Sequence, residues 1–431
     1  MATVAASWTD QEGFPLVRVR SECQGGTTAL QLSQQRFGYG NPQPIAQATA
    51  QVQSLWKIPL RISRGSEVST LLQTDAQQTF RLRGCSTEPM VVNAGGAGFY
   101  RVEYEPAHLE ALQRRFPQLA AADQVTLLSD SFALAQAGAA PLQAFFGLLA
   151  ALPQIQGPGR QMLTAQAGDA MTMLDEAFAG TPSQAALRAA GRALLAPELR
   201  RLGWSPRAGD DAETLNLRGT LIERLARFDD PATAAEALRR FDRDASGAEA
   251  LPATTRAAVV RAAGLHADRA RFDALLSNLK GASGEEDRWL FVSALAGGRD
   301  AARAAEFLQV SLAGDLPPNV ATSIPGMVAR RSPFGEQAYR FAAQHWSALA
   351  ALAGREGRHW VLPSAAEGFN ATAQAAQLID DQQRLAGADG AALAARFAAR
   401  IELLDQIKQR EAVRLADFLA AWQPAVASAA N

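Results

Sequence analysis

Lysine is almost missing from this chain of 431 residues: Lys57, Lys280 and Lys408 are the only three, and arginine carries nearly all the positive charge. With 42 basic and 43 acidic side chains the formal net charge is −1, which excludes a global pull towards nucleic acid or an anionic membrane. Cysteine is equally scarce. Cys23 and Cys85 are the only two, too few for a disulfide scaffold. Both fall in a strand-rich stretch, where free core thiols are expected rather than a bridge. No apolar run approaches the ~20 residues that cross a bilayer. Met1-Ala2-Thr3-Val4-Ala5-Ala6-Ser7 has neither the basic region nor the apolar core of a signal peptide. A parent's leader would lie outside a fragment, so the compartment, cytoplasmic or periplasmic, stays open.

Histidine is the next shortage. His108, His266, His345 and His359 are the whole set, and no two are four apart. A zinc helix of the H-E-x-x-H type needs that spacing, because residues four apart share one helical face and can reach one metal. The G-x-S-x-G elbow of serine hydrolases is absent, as are the G-x-G-x-x-G and Walker phosphate cradles. Acidic doublets exist at Asp210-Asp211 and Asp229-Asp230. Both precede helical patterns, and Asp-Asp-Pro at 229–231 is a helix-start signal, so caps are expected rather than paired catalytic carboxylates. Glu285-Glu286-Asp287 reads as an acidic first helical turn. Arg114-Arg115, Arg239-Arg240 and Arg330-Arg331 come without interleaved aromatics and read as solvated faces.

What is present is the material of a folded protein. Hydrophobic residues make up 48% and charged residues 20%, a globular composition, and the length exceeds the roughly 250–300 residues at which one core stops growing. Up to about Tyr104 the period is two: Trp56, Ile58, Leu60 and Ile62 alternate with Leu55, Lys57, Pro59 and Arg61. Pro59, lacking a donor, predicts an edge strand. Residues 16–20, 29–32, 90–92 and 99–102 are further strands, and short strands with frequent turns predict a small β-sandwich. After Glu105 the period becomes helical. Pro106 suits a first turn and Gly138 a helix stop. Helices are expected over 183–202, 211–228, 231–241, 252–264, 267–279, 285–296, 300–312, 333–352, 372–385 and 391–422. Many short helices with short links predict an α-solenoid of antiparallel pairs, although no strict sequence repeat occurs.

Several of these segments, in this order, resemble the C-terminal part of M1-family zinc aminopeptidases. Ser7 to Val17 is similar to the segment that leaves the family's catalytic domain, and on that pattern the chain begins mid-architecture. Leu30 to Phe37 and Leu55 to Leu60 are similar to the strands that follow. Gly98-Phe99-Tyr100-Arg101-Val102-Glu103-Tyr104 resembles the family's Gly-Tyr-Tyr-Arg-Val-Asn-Tyr joint, departing at Phe99 and Glu103. Leu127 to Ala135 resembles its Leu-(Ile/Leu)-Asp-Asp-Ala-Phe-X-Leu helix. Ser293 to Ala296 with Arg299-Asp300, and then Phe341 to Trp346, resemble later helices. Trp8, Phe14, Trp56, Phe99, Tyr100 and Phe132 are the large apolar anchors expected in such a fold.

The resemblance implies a fold and a role. The fold is multidomain and mainly α: a β-sandwich at 1–104, then an α-superhelical domain of HEAT/armadillo-like helix pairs at 105–431. The role is that of the non-catalytic wall and lid over a peptide-binding cleft. The parent, a bacterial hydrolase of peptides, would remove N-terminal residues with a zinc ion held in a catalytic domain this chain does not contain. With H-E-x-x-H and G-x-M-E-N both missing, the chain alone is expected to bind no catalytic zinc and to be inactive. Its partners would be the N-terminal and catalytic half of the same polypeptide and peptide substrates, not nucleic acid or membrane. Arg299 is the candidate for contact with a substrate carboxylate, the alternative being a cap on its own helix. Arg101 is the candidate that fixes the joint between strands and helices. The rival reading is a stand-alone solenoid that binds a peptide or protein in its groove.

Overall fold

A computed structural model describes residues 2–39, 55–86, 88–157 and 159–424. A short helix α1 (Ala2–Thr9) leads into seven strands: β1 (Pro15–Gln24), β2 (Thr27–Arg36), β3 (Ile58–Arg64), β4 (Glu67–Gln73), β5 (Gln77–Arg83), β6 (Met90–Val92) and β7 (Arg101–Tyr104). They form two sheets, one ordered β5-β2-β1-β7 and the other β4-β3-β6. All pairings are antiparallel except β1 with β7. The alternation in β3 places Ile58, Leu60 and Ile62 in the core and Pro59 and Arg61 in solvent, as a period of two requires. Polar links join the sheets, among them Arg64 of β3 to Thr28 of β2 and to the Arg83 carbonyl of β5. Tyr104 of β7 donates its hydroxyl proton to the Val92 carbonyl of β6 (3.2 Å) and accepts from the Val92 N–H (2.9 Å). Gln34 of β2 exchanges hydrogen bonds with both backbone groups of Trp56, whose ring is fully buried.

Three expectations are corrected here. Cys23 and Cys85 are joined by a disulfide, with their Cα atoms 5.6 Å apart, and neither lies in the core. The β1–β2 hairpin turns at Gly25-Gly26, and Thr27 bridges to Gly84, so the end of β5 arrives beside Cys23. Pro59 is not on an edge strand, since β3 is the middle strand of its sheet. It is tolerated because β6 pairs with β3 only at Ile62–Arg64, leaving the Pro59 side open. Phe99 is no buried anchor: 73% of it is exposed, whereas its neighbour Tyr100 is buried. The turn before it uses left-handed backbone at Asn93, Gly95 and Gly96. Gly98 is required for another reason, because a Cβ there would lie 2.1 Å from the Tyr100 ring.

The helices follow as α2 (Pro106–Arg115), α3 (Ala121–Ala137), α4 (Leu142–Ala150), α5 (Gly159–Ala177), α6 (Pro182–Leu202), α7 (Ala212–Arg227), α8 (Pro231–Ala245), α9 (Ala253–Leu265) and α10 (Arg269–Gly281). They continue with α11 (Glu285–Ala296), α12 (Ala301–Val310), α13 (Pro318–Arg331), α14 (Gly335–Gln344), α15 (Trp346–Gly357), α16 (Val361–Ala365), α17 (Thr372–Ala386), α18 (Ala391–Glu411) and α19 (Leu415–Ala421). The chain is thus mainly α with an N-terminal β part. Pro106 does open α2, and Gly138 closes α3 with φ of 76°. Helices α1, α4, α5, α13 and α16 were not marked by the sequence pattern, and α13 carries Pro325 in its interior. The expected helix 333–352 is two helices broken at His345, and 391–422 is broken after Glu411.

By contacts the chain divides into two compact units. One runs to Ala167 and takes in the chain from Ala421; the other is Gly168–Ala420. In the first, Leu16 of β1 and Phe37 pack on Ala133, Leu134 and Ala137 of α3, and Trp422 donates to the Phe146 carbonyl at 3.0 Å. In the second, alternate helices stack on each other: α7 on α9, α9 on α11, α11 on α13 and α13 on α16. A continuous apolar core runs there from Phe241 to Ile401.

Candidate functional site

The four histidines are dispersed. His108 donates its Nε2–H to the Met90 carbonyl (2.7 Å) and stacks on Tyr104, and burial lowers its pKa. His266 faces the Ala226 carbonyl, while His345 and His359 lie beside Phe341 and Trp360. Among the described residues no group of three or more His, Cys, Asp or Glu could hold a metal ion. The acidic doublets divide their labour. Asp211 and Asp230 cap α7 and α8 by accepting from the Thr214 and Thr233 N–H groups. Asp210 accepts from Arg207 N–H and from Arg218, and Asp229 belongs to the wall described below.

Arg101, on β7, donates to Ser129 Oγ (2.6 Å) and to Asp130 Oδ1 (2.9 Å) on α3. The other Asp130 oxygen accepts the Val102 N–H at 3.0 Å. One carboxylate therefore ties the side chain and the backbone of the last strand to one helix. Burial pushes the Asp130 carboxyl up to about 6, against the opposing pull of Arg101 and the Val102 N–H.

Arg299 lies just past the end of α11 and does not cap that helix. Its Nη2 donates to the Arg227 carbonyl at the end of α7 (2.9 Å) and to Asp229 Oδ1 (3.3 Å). Asp229, held in left-handed backbone at φ 56°, also accepts from Arg188 at 2.6 Å. From there an ion-pair wall spreads across helix ends. Arg188 and Arg227 share Asp175, Arg227 and Arg400 share Glu176, and Arg261 and Arg331 share Glu223. Six arginines (188, 227, 261, 299, 331 and 400) thus share four carboxylates (175, 176, 223 and 229). The excess is cationic. Burial lowers the pKa of Arg299, with Arg188 and Arg227 adding to that effect. Arg331 is pushed down to about 10, chiefly by burial, with Arg261, Arg330 and Arg227 contributing. Arg299 Nε and Arg261 Nε are buried without a hydrogen-bond partner among the described residues. Such an arrangement can take an additional anion.

The sequence pointed to Arg299 but not to the five arginines around it. Arg331 was visible only as half of an arginine doublet. It is no solvated side chain, since its Nε donates to the Ser293 carbonyl at 3.0 Å. The remaining doublets do pair with surface acids, Arg115 with Glu88 and Arg239 and Arg240 with Glu236. A groove of about 560 Å³ runs along the exposed face of α13, with Trp289 and Trp360 on its sides and Gly326 and Ser364 among its lining residues. At one end Arg330 faces Glu367 at 3.4 Å, whose carboxyl is raised by burial.

A β part followed by stacked helix pairs defines the class: a mainly α chain with an N-terminal β region. The model of the family described as ERAP1-like C-terminal domain matches residues 90–401. The chain belongs to that family and is a C-terminal part of an M1 aminopeptidase. It is 28% identical over 236 residues to the puromycin-sensitive aminopeptidase of Caenorhabditis elegans, covering 52% of this chain and 23% of that one. Against aminopeptidase M1-A of Oryza sativa subsp. japonica it is 27% identical over 243 residues, 54% of this chain and 26% of the relative. An aminopeptidase N of Plutella xylostella is 24% identical over 229 residues, 50% and 23% of the two chains. The chain therefore spans about a quarter of the length of the curated relatives it matches.

Proposed function

We propose that this chain forms the wall and lid over the peptide-binding cleft of a zinc aminopeptidase and thereby governs which peptides enter. The parent reaction is hydrolysis of N-terminal residues, with zinc held by the catalytic part of the same polypeptide. The observation that carries this reading is the family match across residues 90–401, which runs from the strand–helix joint through the arginine wall. Arg299 is assigned contact with a carboxylate of the bound peptide, helped by the cationic excess at Arg188, Arg227 and Arg331. Arg101 is assigned the joint between a β-sandwich at 1–104 and a helical domain at 105–431.

The test uses the chain itself. Fluorescent peptides of eight to twelve residues, titrated against purified protein, should bind with an affinity that falls at least fivefold in Arg299→Ala and falls again when the peptide carboxylates are amidated. Absence of binding at millimolar protein, or binding indifferent to both changes, removes the wall assignment. Release of amine from an aminoacyl anilide by the purified chain with zinc would remove the non-catalytic one.

A further inference from the structure

Neighbouring helices of a stacked array hold each other through apolar faces, and an array of this kind opens by small motions summed over every neighbour. In the unit Gly168–Ala420 the polar contacts of longest sequence range, among the described residues, lie at one seam. Asn370, just before α17, donates its Nδ2 hydrogens to the carbonyls of Glu176 (3.1 Å), Ala177 (3.3 Å) and Ala179 (3.2 Å). These carbonyls lie at and just past the end of α5, and the Glu176 carbonyl also accepts the Ala179 N–H at 3.3 Å. Arg400 on α18 donates to Glu176 Oε2 at 2.6 Å. The partners are 191 to 224 positions apart in sequence. Asn370 is itself gripped from behind, since Lys408 donates to its carbonyl at 2.5 Å and Gln374 Oε1 accepts its N–H at 3.0 Å.

We propose that Asn370, assisted by Arg400, is a latch that fastens the last helices of this unit to its first, so that the unit opens at this seam rather than by bending throughout. The chemistry of the seam supports release. The apolar core from Phe241 to Ile401 includes, among the described residues, none from α5, and the polar contacts described across the seam are the Asn370 hydrogen bonds and the Arg400–Glu176 ion pair. Water can replace such bonds at small net cost, whereas it cannot replace buried apolar contact. Glu176 is also prepared for separation. Its other oxygen is held by Arg227 of α7 at 3.3 Å, so loss of Arg400 leaves no stranded carboxylate.

Hydrogen exchange on the full chain, read by mass spectrometry, tests the latch. Asn370→Ala should raise exchange at least tenfold at 168–181 and also at 372–411, two segments remote in sequence, with α9 and α11 unchanged. Arg400→Gln should give the same pattern more weakly, and provides the reading should Asn370→Ala fail to fold. Thr372→Ala is the control. Its N–H and hydroxyl bond to Asp405 (2.9 and 2.7 Å) on the same side of the seam, so it should loosen 372–411 alone. The proposal is overturned if Asn370→Ala affects only its own side, as the control does, or raises exchange evenly through α9 and α11.

Discussion

Arg101 and Asp130 meet at 2.9 Å, and the same carboxylate takes the N–H of Val102 through its second oxygen. Strand β7 is thus held to α3 through both its side chain and its backbone, in a place where only 4% of the Asp130 side chain is exposed.

That burial predicts a pH effect. The Asp130 carboxyl is raised from an ordinary 3.8 to about 6, so the folded chain holds this proton more firmly than the unfolded one. Between about pH 4 and 6 the folded state binds the extra proton, and stability falls as pH rises through that window. Two pH units correspond to at most about 3 kcal/mol. Asp130→Asn cannot ionise and should lose this slope. Urea unfolding at pH 4 and pH 7 should show the variant gaining about 1–3 kcal/mol on the parent chain across the interval. A constant difference would mean that Arg101 keeps the carboxylate charged in spite of its burial.

The Cys23–Cys85 bridge gives a second expectation. It closes a loop of 62 positions, which in the chain-entropy account stabilises the folded state by about 4 kcal/mol. Both cysteines are exposed, so a reductant should reach them without prior unfolding. Thermal unfolding with and without reductant, and of Cys23→Ser, should show a lowered transition for the unit that carries the sheets and an unmoved one for Gly168–Ala420. Two free thiols by alkylation of the folded, non-reduced protein would refute the bridge.

How much of this was legible depended on whether the signal was local. The alternation of Ile58, Leu60 and Ile62, the first-turn Pro106, the stop at Gly138 and the caps at Asp211 and Asp230 each need only a few neighbouring residues, and each appears where the pattern puts it. Helix α13 was hidden because Pro317, Pro318 and Pro325 break its local signal, and packing of Val320, Ile324 and Val328 overrides it. The disulfide was hidden because only strand order brings position 85 beside position 23. The arginine wall and the Asn370 seam were hidden for the same reason at greater range: nothing near Glu176 announces partners at 370 and 400.

Arg218 supplies a prediction about a buried cation. Its side chain is 0% exposed on α7 and binds the Gly203 carbonyl (3.0 Å), the Leu202 carbonyl (3.4 Å) and Asp210 (2.5 Å). It thus satisfies the end of α6 from a neighbouring helix. Arg218→Met keeps most of the volume but strands two carbonyls, and should cost about 3 kcal/mol in denaturant unfolding. Arg218→Lys should recover little, because one ammonium cannot reproduce the spread of a guanidinium over three acceptors. Full recovery by lysine would show that charge alone matters at this site.

Two glycines on the faces that join α7, α9 and α11 should respond with opposite signs. A Cβ on Gly264 of α9 would lie 2.3 Å from the Ala294 carbonyl oxygen and 2.9 Å from its Cα. That obstacle is backbone, so α11 must move as a body. Gly264→Ala gains up to about 1 kcal/mol of helix propensity but incurs overpacking of about 1–3 kcal/mol or more, and should destabilise by about 2 kcal/mol. A Cβ on Gly219 of α7 would meet Ala258 Cβ and the Thr254 carbonyl at 3.7 Å, which is ordinary contact. Gly219→Ala should therefore keep the propensity gain and stabilise by up to about 1 kcal/mol. Guanidinium unfolding of both variants reads the difference. Stabilisation of both would mean that propensity alone decides these positions, and that α9 and α11 do not approach as closely as Gly264 implies.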